Sequence, residues 1–371
     1  MSTPRRDAEV VVIGGGAAGL AAARAAHEAG ASALIVAESQ GALAMASGVL
    51  WGAAREPFAR WSAEGPWQRG GRYVTAGALQ VSGVAGALSS LLNLDRVREG
   101  APLGVVDLGV HPAWQPRLLA QTLGGRVVPC GFDAGEAGFG AAAMRLDTEG
   151  LVATLAASLA EAVDTVGGFL FPPVLGLKRH DVAAQLERLL GRPVGEVAGA
   201  AGEPPGLRMA AALQAWVPRD VGVLSARARV EPGRVAKVVL ANGESVRARA
   251  VVLATGGLVG GGLRFASVLE ECTAGLPVWT ARHERILSAT GAARGADPVE
   301  WFAPREGRAF GAGLRLDAAG RVLDADGQTR VAPWLFAAGE VALARDGDGI
   351  AGALASGHRA GAEAARFARG S

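Results

Sequence analysis

The chain has 371 residues, 55 of them glycine, with 37 basic against 35 acidic side chains. Glycine stands at about twice its usual ~7% share, yet it follows no G-X-Y period and accompanies 50% hydrophobic residues, which excludes collagen and disordered linker. A net charge of +2 gives no footprint for nucleic acid, so none is expected as a partner. Cys130 and Cys272 lie far apart and no C-x-x-C exists, so no metal or iron–sulfur site is expected in this chain. The opening residues show no signal-peptide pattern, and the uncharged stretch 10–23 is glycine-interrupted and too short to span a bilayer. A cytoplasmic location is expected, with any membrane contact peripheral.

In chain order, residues 9–13 predict a buried strand, followed by a glycine turn, a helix to about residue 30 and a second strand at 33–36. Residues 58–75 are rich in Trp, Arg and Gly without a clean period and read as a linker or as loops over a site. Strands at 103–108, 127–129 and 169–173 alternate with helices at 114–123, 151–162 and 181–190, which predicts a second α/β domain. After Val217 the pattern changes back: strands at 222–230 and 235–240, a hairpin turn at Asn242-Gly243, and a buried strand at 249–257 that leaves through glycines. Leu335 to Glu340, a glycine-rich loop from Gly347 and a final helix complete the chain. The expected fold is α/β, a discontinuous Rossmann-like domain (1–65 plus 222–371) with a second α/β domain (66–221) inserted into it.

Gly14, Gly16 and Gly19 form G-x-G-x-x-G between a strand and a helix, the context that dinucleotide binding requires. Gly14 permits the tight turn, Gly16 lets backbone approach a pyrophosphate, and Gly19 allows close helix–strand packing. Ala17 and Ala18 open the helix whose N-terminus favours the phosphate charge. The carboxylate that usually binds a ribose hydroxyl is replaced by Ala37, with Glu38 one residue later, either at the ribose through a bulge or as a solvated loop charge. Two later elements turn the reading from a nicotinamide to a flavin. They resemble the later elements of flavoprotein folds, in which Thr255-Gly256 would end the returning strand and Gly339-Glu340 would bring an acidic side chain to the ribityl and pyrophosphate region; glutamate there resembles the variant of the fumarate reductase and succinate dehydrogenase branch. Ser47-Gly48 fits the loop that passes the flavin in that branch. Ala351, Gly352 and Ala353 begin the last helix, whose amides would face the pyrimidine end of the ring. The first domain is thus a flavin-binding one, with FAD expected and FMN as the alternative.

The chain also resembles the second, accessory flavoprotein component of anaerobic glycerol-3-phosphate dehydrogenase. The resemblance runs in order through Leu43 to Gly48, Gly71-Arg72 to Thr75, Gly104-Val-Val-Asp107, Pro172-Pro173 to Leu177, Pro204-Pro205-Gly206-Leu207-Arg208, Leu253 to Gly257 with Gly260 to Leu263, and Phe302-Ala-Pro304. It implies a flavin-bearing subunit that works with a catalytic flavoprotein subunit and an iron–sulfur subunit. Together these oxidise glycerol 3-phosphate to dihydroxyacetone phosphate and pass electrons to quinone at the inner face of the cell membrane.

Substrate chemistry of that kind needs a base near the hydroxyl and cations for the phosphate. His283 and His358 are candidates for the flavin face. Arg208 and Arg72, in family-like segments, are candidates for an anion, with an ordinary salt bridge as the alternative. No constellation in the sequence names the base. Three readings stand: an electron-transfer subunit, a stand-alone FAD-dependent dehydrogenase or oxidase of a small anionic or amine substrate, and a cofactor-less scaffold.

Overall fold

The structure, a computed structural model, describes residues 7–51, 62–75, 80–109, 112–132, 138–199, 203–231, 233–265, 268–280, 311–343 and 349–370. The chain forms two compact units. Unit 1 is Met1–Ala42, Glu56–Phe58 and Leu213–Ser371; unit 2 is Leu43–Arg55 and Ala59–Ala212. The sequence pattern predicts the joins at 65/66 and 221/222.

Unit 1 opens with β1 (Asp7–Ile13), whose Val10 to Ile13 run is wholly buried. Burial on both faces is what a continuous apolar run without alternation gives in a parallel sheet. The chain crosses through α1 (Ala17–Glu28) to β2 (Ala33–Ala37), which lies parallel to β1 with Val10 opposite Ala33.

In unit 2, β3 (Val49–Trp51), β4 (Trp67–Arg69) and β7 (Val84–Leu88) make an antiparallel sheet in the order β3-β7-β4, and β5 (Tyr73–Val74) pairs with β6 (Gln80–Val81). Part of the stretch expected as loops is therefore strand. A parallel four-stranded sheet follows, in the order β11-β10-β8-β9, built from β8 (Leu103–Asp107), β9 (Arg126–Pro129), β10 (Gly168–Phe171) and β11 (Val194–Glu196). The helices of this unit are α2 (Pro116–Leu123), α3 (Phe139–Leu146), α4 (Leu151–Leu159), α5 (Val182–Leu190) and α6 (Pro204–Ala215). Residues 151–162, expected as one helix, divide into α4 and a 3₁₀ segment, Ala160–Thr165. Phe169, Phe171, Leu155 and Leu186 sit at the centre of the unit's main apolar cluster.

The chain then completes unit 1 with β12 (Gly222–Ser225), β13 (Ala228–Glu231), β14 (Ala236–Leu240) and β15 (Ser245–Leu253). Further on come the short pair β16 (Leu263–Phe265) and β17 (Leu269–Glu271), then β18 (Leu335–Ala337) and α7 (Gly349–Arg369). The large sheet runs β12-β2-β1-β15-β14-β13, with β18 also on β15. Residues 222–230 are two strands rather than one, because Gly222–Ser225 pairs parallel to β2 while Ala228–Glu231 pairs antiparallel to β14. β15 likewise changes partner along its length, from β14 at 245–248 to β18 at 251–253.

α7 packs against α1 at very close range. A Cβ on Gly357 would collide with the carbonyl oxygen of Ala18, and one on Gly361 with that of Ala22. Small residues four apart on both helices make that approach possible. Among the described residues no helix is long and apolar enough to cross a membrane.

Candidate cofactor site

Three glycine-bearing segments of unit 1 meet at the C-terminal ends of β1, β15 and β18, the end at which open α/β sheets take their ligands. Gly14 has φ +122°, and a Cβ there would collide with the carbonyl oxygen of Ala254, just past β15. A Cβ on Gly19 would collide with the carbonyl oxygen of Gly14, so Gly19 is required by the packing of α1 on its own turn. Gly339, at φ +74°, would place a Cβ 2.7 Å from that of Ala18, and its amide donates to Ser356 Oγ of α7 at 3.0 Å.

Gly16 is different. Its backbone, φ −79° and ψ −177°, is an extended conformation open to any residue. The nearest protein atom to a Cβ there, the carbonyl oxygen of Gln40, is 3.8 Å away. The protein's own packing does not need a glycine at 16. No side chain caps α1 and no acidic residue occupies its first turn, so the partial positive charge of its amides is left for something else. A backbone that stands back at Gly16 beside an uncapped helix N-terminus fits a pyrophosphate. Gly14, Gly16, Ala17, Ala18 and Gly19 would hold that group.

The second segment, Thr255-Gly256, is half-buried, with Gly256 at φ +85°. A Cβ on Gly262 would collide with the carbonyl oxygen of Gly256, so the 255–262 loop is folded tightly on itself. The exposed Glu340 follows Gly339, and its Cβ and Oε2 lie 3.1 Å from a Cβ built on Gly257. Ala351 and Ala353 are half-buried and Gly352 is buried in the first turn of α7. Behind the Thr255 loop lies Glu271, which is fully buried and to which Thr255 Oγ1 donates at 3.5 Å. Burial pushes its carboxyl above the ordinary glutamate range, opposed by the hydrogen bonds of the Ala274 and Thr273 amides. Sequence reasoning missed Glu271, since Glu270-Glu271 looks like a charged surface. The usable signal was the alternation of β17, which puts Glu271 on the buried face with Leu269.

The adenosine end carries the substitution seen in the sequence. Ala37 ends β2, and its Cβ is 3.0 Å from a Cβ built at Gly15, beside the dinucleotide turn. Glu38 instead pairs with Arg227, Oε2 to Nε 2.6 Å, both side chains exposed. Register fixes this meeting, because Ser225 lies opposite Ala37 and the Ala226 amide donates to the Ala37 carbonyl at 3.2 Å.

Ser47 and Gly48 belong to unit 2. The Ser47 carbonyl accepts from the Gly199 amide at 2.9 Å, and a Cβ on Gly48, at φ +87°, would press on Pro205, Leu91 and Leu88.

Of the four groups considered for substrate chemistry, His283 lies outside the described residues. His358 is half-buried in α7. Arg208 is fully buried, pairs with Glu196, and donates to the carbonyls of Gly176 and Leu175 and to Ser90 Oγ, the last at 3.2 Å. Its guanidinium therefore faces protein and not solvent, which is the salt-bridge alternative weighed from the sequence. Arg72 is exposed and pairs with Asp95 at 2.6 Å. The pKa of His180, a residue at the start of α5, is lowered from its ordinary value by burial and by the nearby Arg208 charge.

Comparison with known proteins bears on this geometry. The sequence profile described as FAD binding domain matches residues 9–306. No curated protein matches the chain by sequence. Among solved structures, the chain is similar to the 3-ketosteroid-Δ4-(5α)-dehydrogenase of Rhodococcus jostii RHA1, with 16% identity, 99% of this chain and 98% of that one covered, and a TM-score of 0.38. It is also similar to the 3-ketosteroid Δ1-dehydrogenase of Sterolibacterium denitrificans (12% identity, 99% and 100% covered, TM-score 0.41). A flavocytochrome c3 fumarate reductase matches with 16% identity, 98% and 79% covered, and a TM-score of 0.40. Bound FAD supplies the electron-accepting ring; the chain's own part is to bind and orient it. With the fingerprint cradle in place and the profile spanning most of its length, the chain belongs to the FAD binding domain family, as a flavin-dependent oxidoreductase whose cofactor is FAD.

Proposed function

We propose that this chain is an electron-relaying flavoprotein subunit of a glycerol-3-phosphate dehydrogenase-like complex. In that role a partner flavoprotein oxidises glycerol 3-phosphate to dihydroxyacetone phosphate, and an iron–sulfur partner carries electrons on to quinone. The observation that carries relay over turnover is the state of the two candidate anion-binding arginines. Arg208 is buried against Glu196, and Arg72 is held by Asp95, so each already has a carboxylate where a substrate phosphate would bind. The family-like segments also cohere. Residues 172–177 and 204–208 are distant in sequence, yet Arg208 donates to the Gly176 carbonyl.

The test is anaerobic mixing of the FAD-loaded chain with glycerol 3-phosphate, followed at the flavin absorbance band. No bleaching is expected from the chain alone, with bleaching restored by added partner subunits. Rapid bleaching without partners favours the second reading, a stand-alone dehydrogenase, in which His358 on α7 would be the first residue to substitute.

A further inference from the structure

We infer that Glu271 is a positioning residue of the FAD site: it fixes the Thr255–Gly262 loop from behind and places a buried negative charge against it. The inference rests on the assignment of Thr255 and Gly256 to the cofactor and is independent of the substrate. Glu271 is 0% exposed. Its Oε1 accepts from the Thr273 amide at 2.9 Å and from Thr255 Oγ1 at 3.5 Å, and its Oε2 accepts from the Ala274 amide at 2.7 Å. The Thr273 side chain hydrogen-bonds the same carboxyl. Every one of these partners is a donor, the arrangement that suits a carboxylate, and none is a cation. A turn cap needs only the groups of Thr273 and Ala274. The Thr255 contact reaches back 16 residues, to the end of β15.

The rest of the turn is sewn to the same loop. The Cys272 amide donates to the Gly262 carbonyl at 3.0 Å, and its thiol lies 2.9 Å from the Gly261 carbonyl oxygen. The Gly262 amide in turn donates to the Gly257 carbonyl at 3.0 Å. The Thr255 amide lies 3.2 Å from a Cβ built on Gly14, so the pinned loop borders the fingerprint turn. In a low-dielectric interior, a carboxylate without a cation acts on neighbouring charge more strongly than a solvated one. Negative charge there disfavours adding electrons to the flavin.

The experiment compares wild type, Glu271→Gln, Glu271→Asp and Thr255→Val as apoproteins reconstituted with FAD. Flavin fluorescence gives the dissociation constant, dye equilibration at about pH 8, where Glu271 is ionised, gives the midpoint potential, and apoprotein melting reports the fold. E271Q is expected to bind FAD about tenfold more weakly and to shift reduction about tenfold toward the reduced flavin, which is about 30 mV positive for a two-electron couple. E271D, which keeps the charge, and T255V, which keeps the carboxylate, should weaken FAD while holding the wild-type potential. An E271Q protein with wild-type affinity and potential overturns the inference. So does a T255V protein that shows the E271Q potential, since the shift would then follow loop disorder and not charge. Should E271Q fail to fold, T255V decides: tenfold weaker FAD upholds the positioning role, and wild-type affinity overturns it. Wild-type apoprotein that takes up no FAD would instead overturn the cofactor assignment, and this inference with it.

Discussion

The two units each bury a glutamate completely, and they compensate it in opposite ways. In unit 2, Glu196 is matched by the guanidinium of Arg208, and one of its oxygens also accepts from the Leu175 amide at 2.9 Å. In unit 1, Glu271 is matched by two amides and the hydroxyls of Thr255 and Thr273. A paired charge is electrically quiet at a distance and serves the fold. An unpaired carboxylate behind a ligand loop keeps its field. The close-packed glycines show the same contrast. In unit 2, a Cβ on Gly195 would collide with the Leu92 amide and one on Gly125 with the Leu103 carbonyl, so the protein itself requires both. In unit 1, by contrast, Gly16 of the fingerprint faces space that the protein leaves open. Unit 2 pairs this buried charge and fills these close contacts from within, whereas unit 1 presents an open glycine and an uncapped helix N-terminus to its cofactor.

Breaking the unit 2 pair should have the largest effect. Arg208→Ala leaves Glu196 buried and unpaired, at about 3–5 kcal/mol of unfolding free energy in denaturant titration. The double replacement R208M with E196L should lose far less, because two apolar side chains leave no orphaned charge. Equal losses in both would show that packing, not charge, makes this pair matter. Gly16→Val should come next. FAD binding is expected to weaken at least a hundredfold, about 2.8 kcal/mol, with the apoprotein melting as wild type. Gly19→Val should instead lower apoprotein melting as well, since its Cβ collides with Gly14. A Gly16 variant that keeps its FAD would remove the distinction drawn between the units.

Gly361→Ala, which forces α7 off Ala22, should cost about 1–3 kcal/mol by overpacking. The smallest effect is a pH slope. Burial raises the Glu271 carboxyl above its ordinary 4.5, so the folded protein holds this proton to higher pH than the unfolded chain does. The stability it contributes is complete below 4.5 and is lost as pH rises through the raised value. Urea unfolding of the apoprotein at about pH 5 and about pH 8 should show wild type losing more stability than E271Q; parallel behaviour would mean Glu271 is not titrating in this range.

The βαβ start was legible because its information is local: an unbroken apolar run, a glycine fingerprint and an alanine helix in sequence. Gly14, Gly16 and Gly19 look equivalent in sequence. The structure separates them, because what each Cβ would meet depends on Ala254 and on the fold of α1. The break within 222–230 was illegible for a related reason. Gly222–Ser225 is drawn to β2, some two hundred residues earlier in the chain, while Ala228–Glu231 follows β14, and no local period records a change of partner. The strands at 67–74 were missed because short strands rich in Trp, Arg and Gly carry no alternation over enough residues. Arg208 could be read as anion binder or ion pair until its partner was located; Glu196, twelve residues upstream on a separate strand, gives no sign of the pairing in sequence.

The seating of Gly357 and Gly361 on Ala18 and Ala22 has a consequence for biosynthesis. Between α1 and α7 lie the 320 residues 29–348. At roughly 5–20 residues per second, α1 leaves the ribosome at least a quarter of a minute before the helix that covers it. Unit 2 is made wholly within that interval and has its own strands and its own buried ion pair. Unit 1 must wait, its alanine face and the strands β1 and β2 exposed as an attractive target for chaperones, until α7 arrives. A truncation that stops before Gly349 would therefore be expected to leave a folded unit 2 joined to an aggregation-prone N-terminal segment.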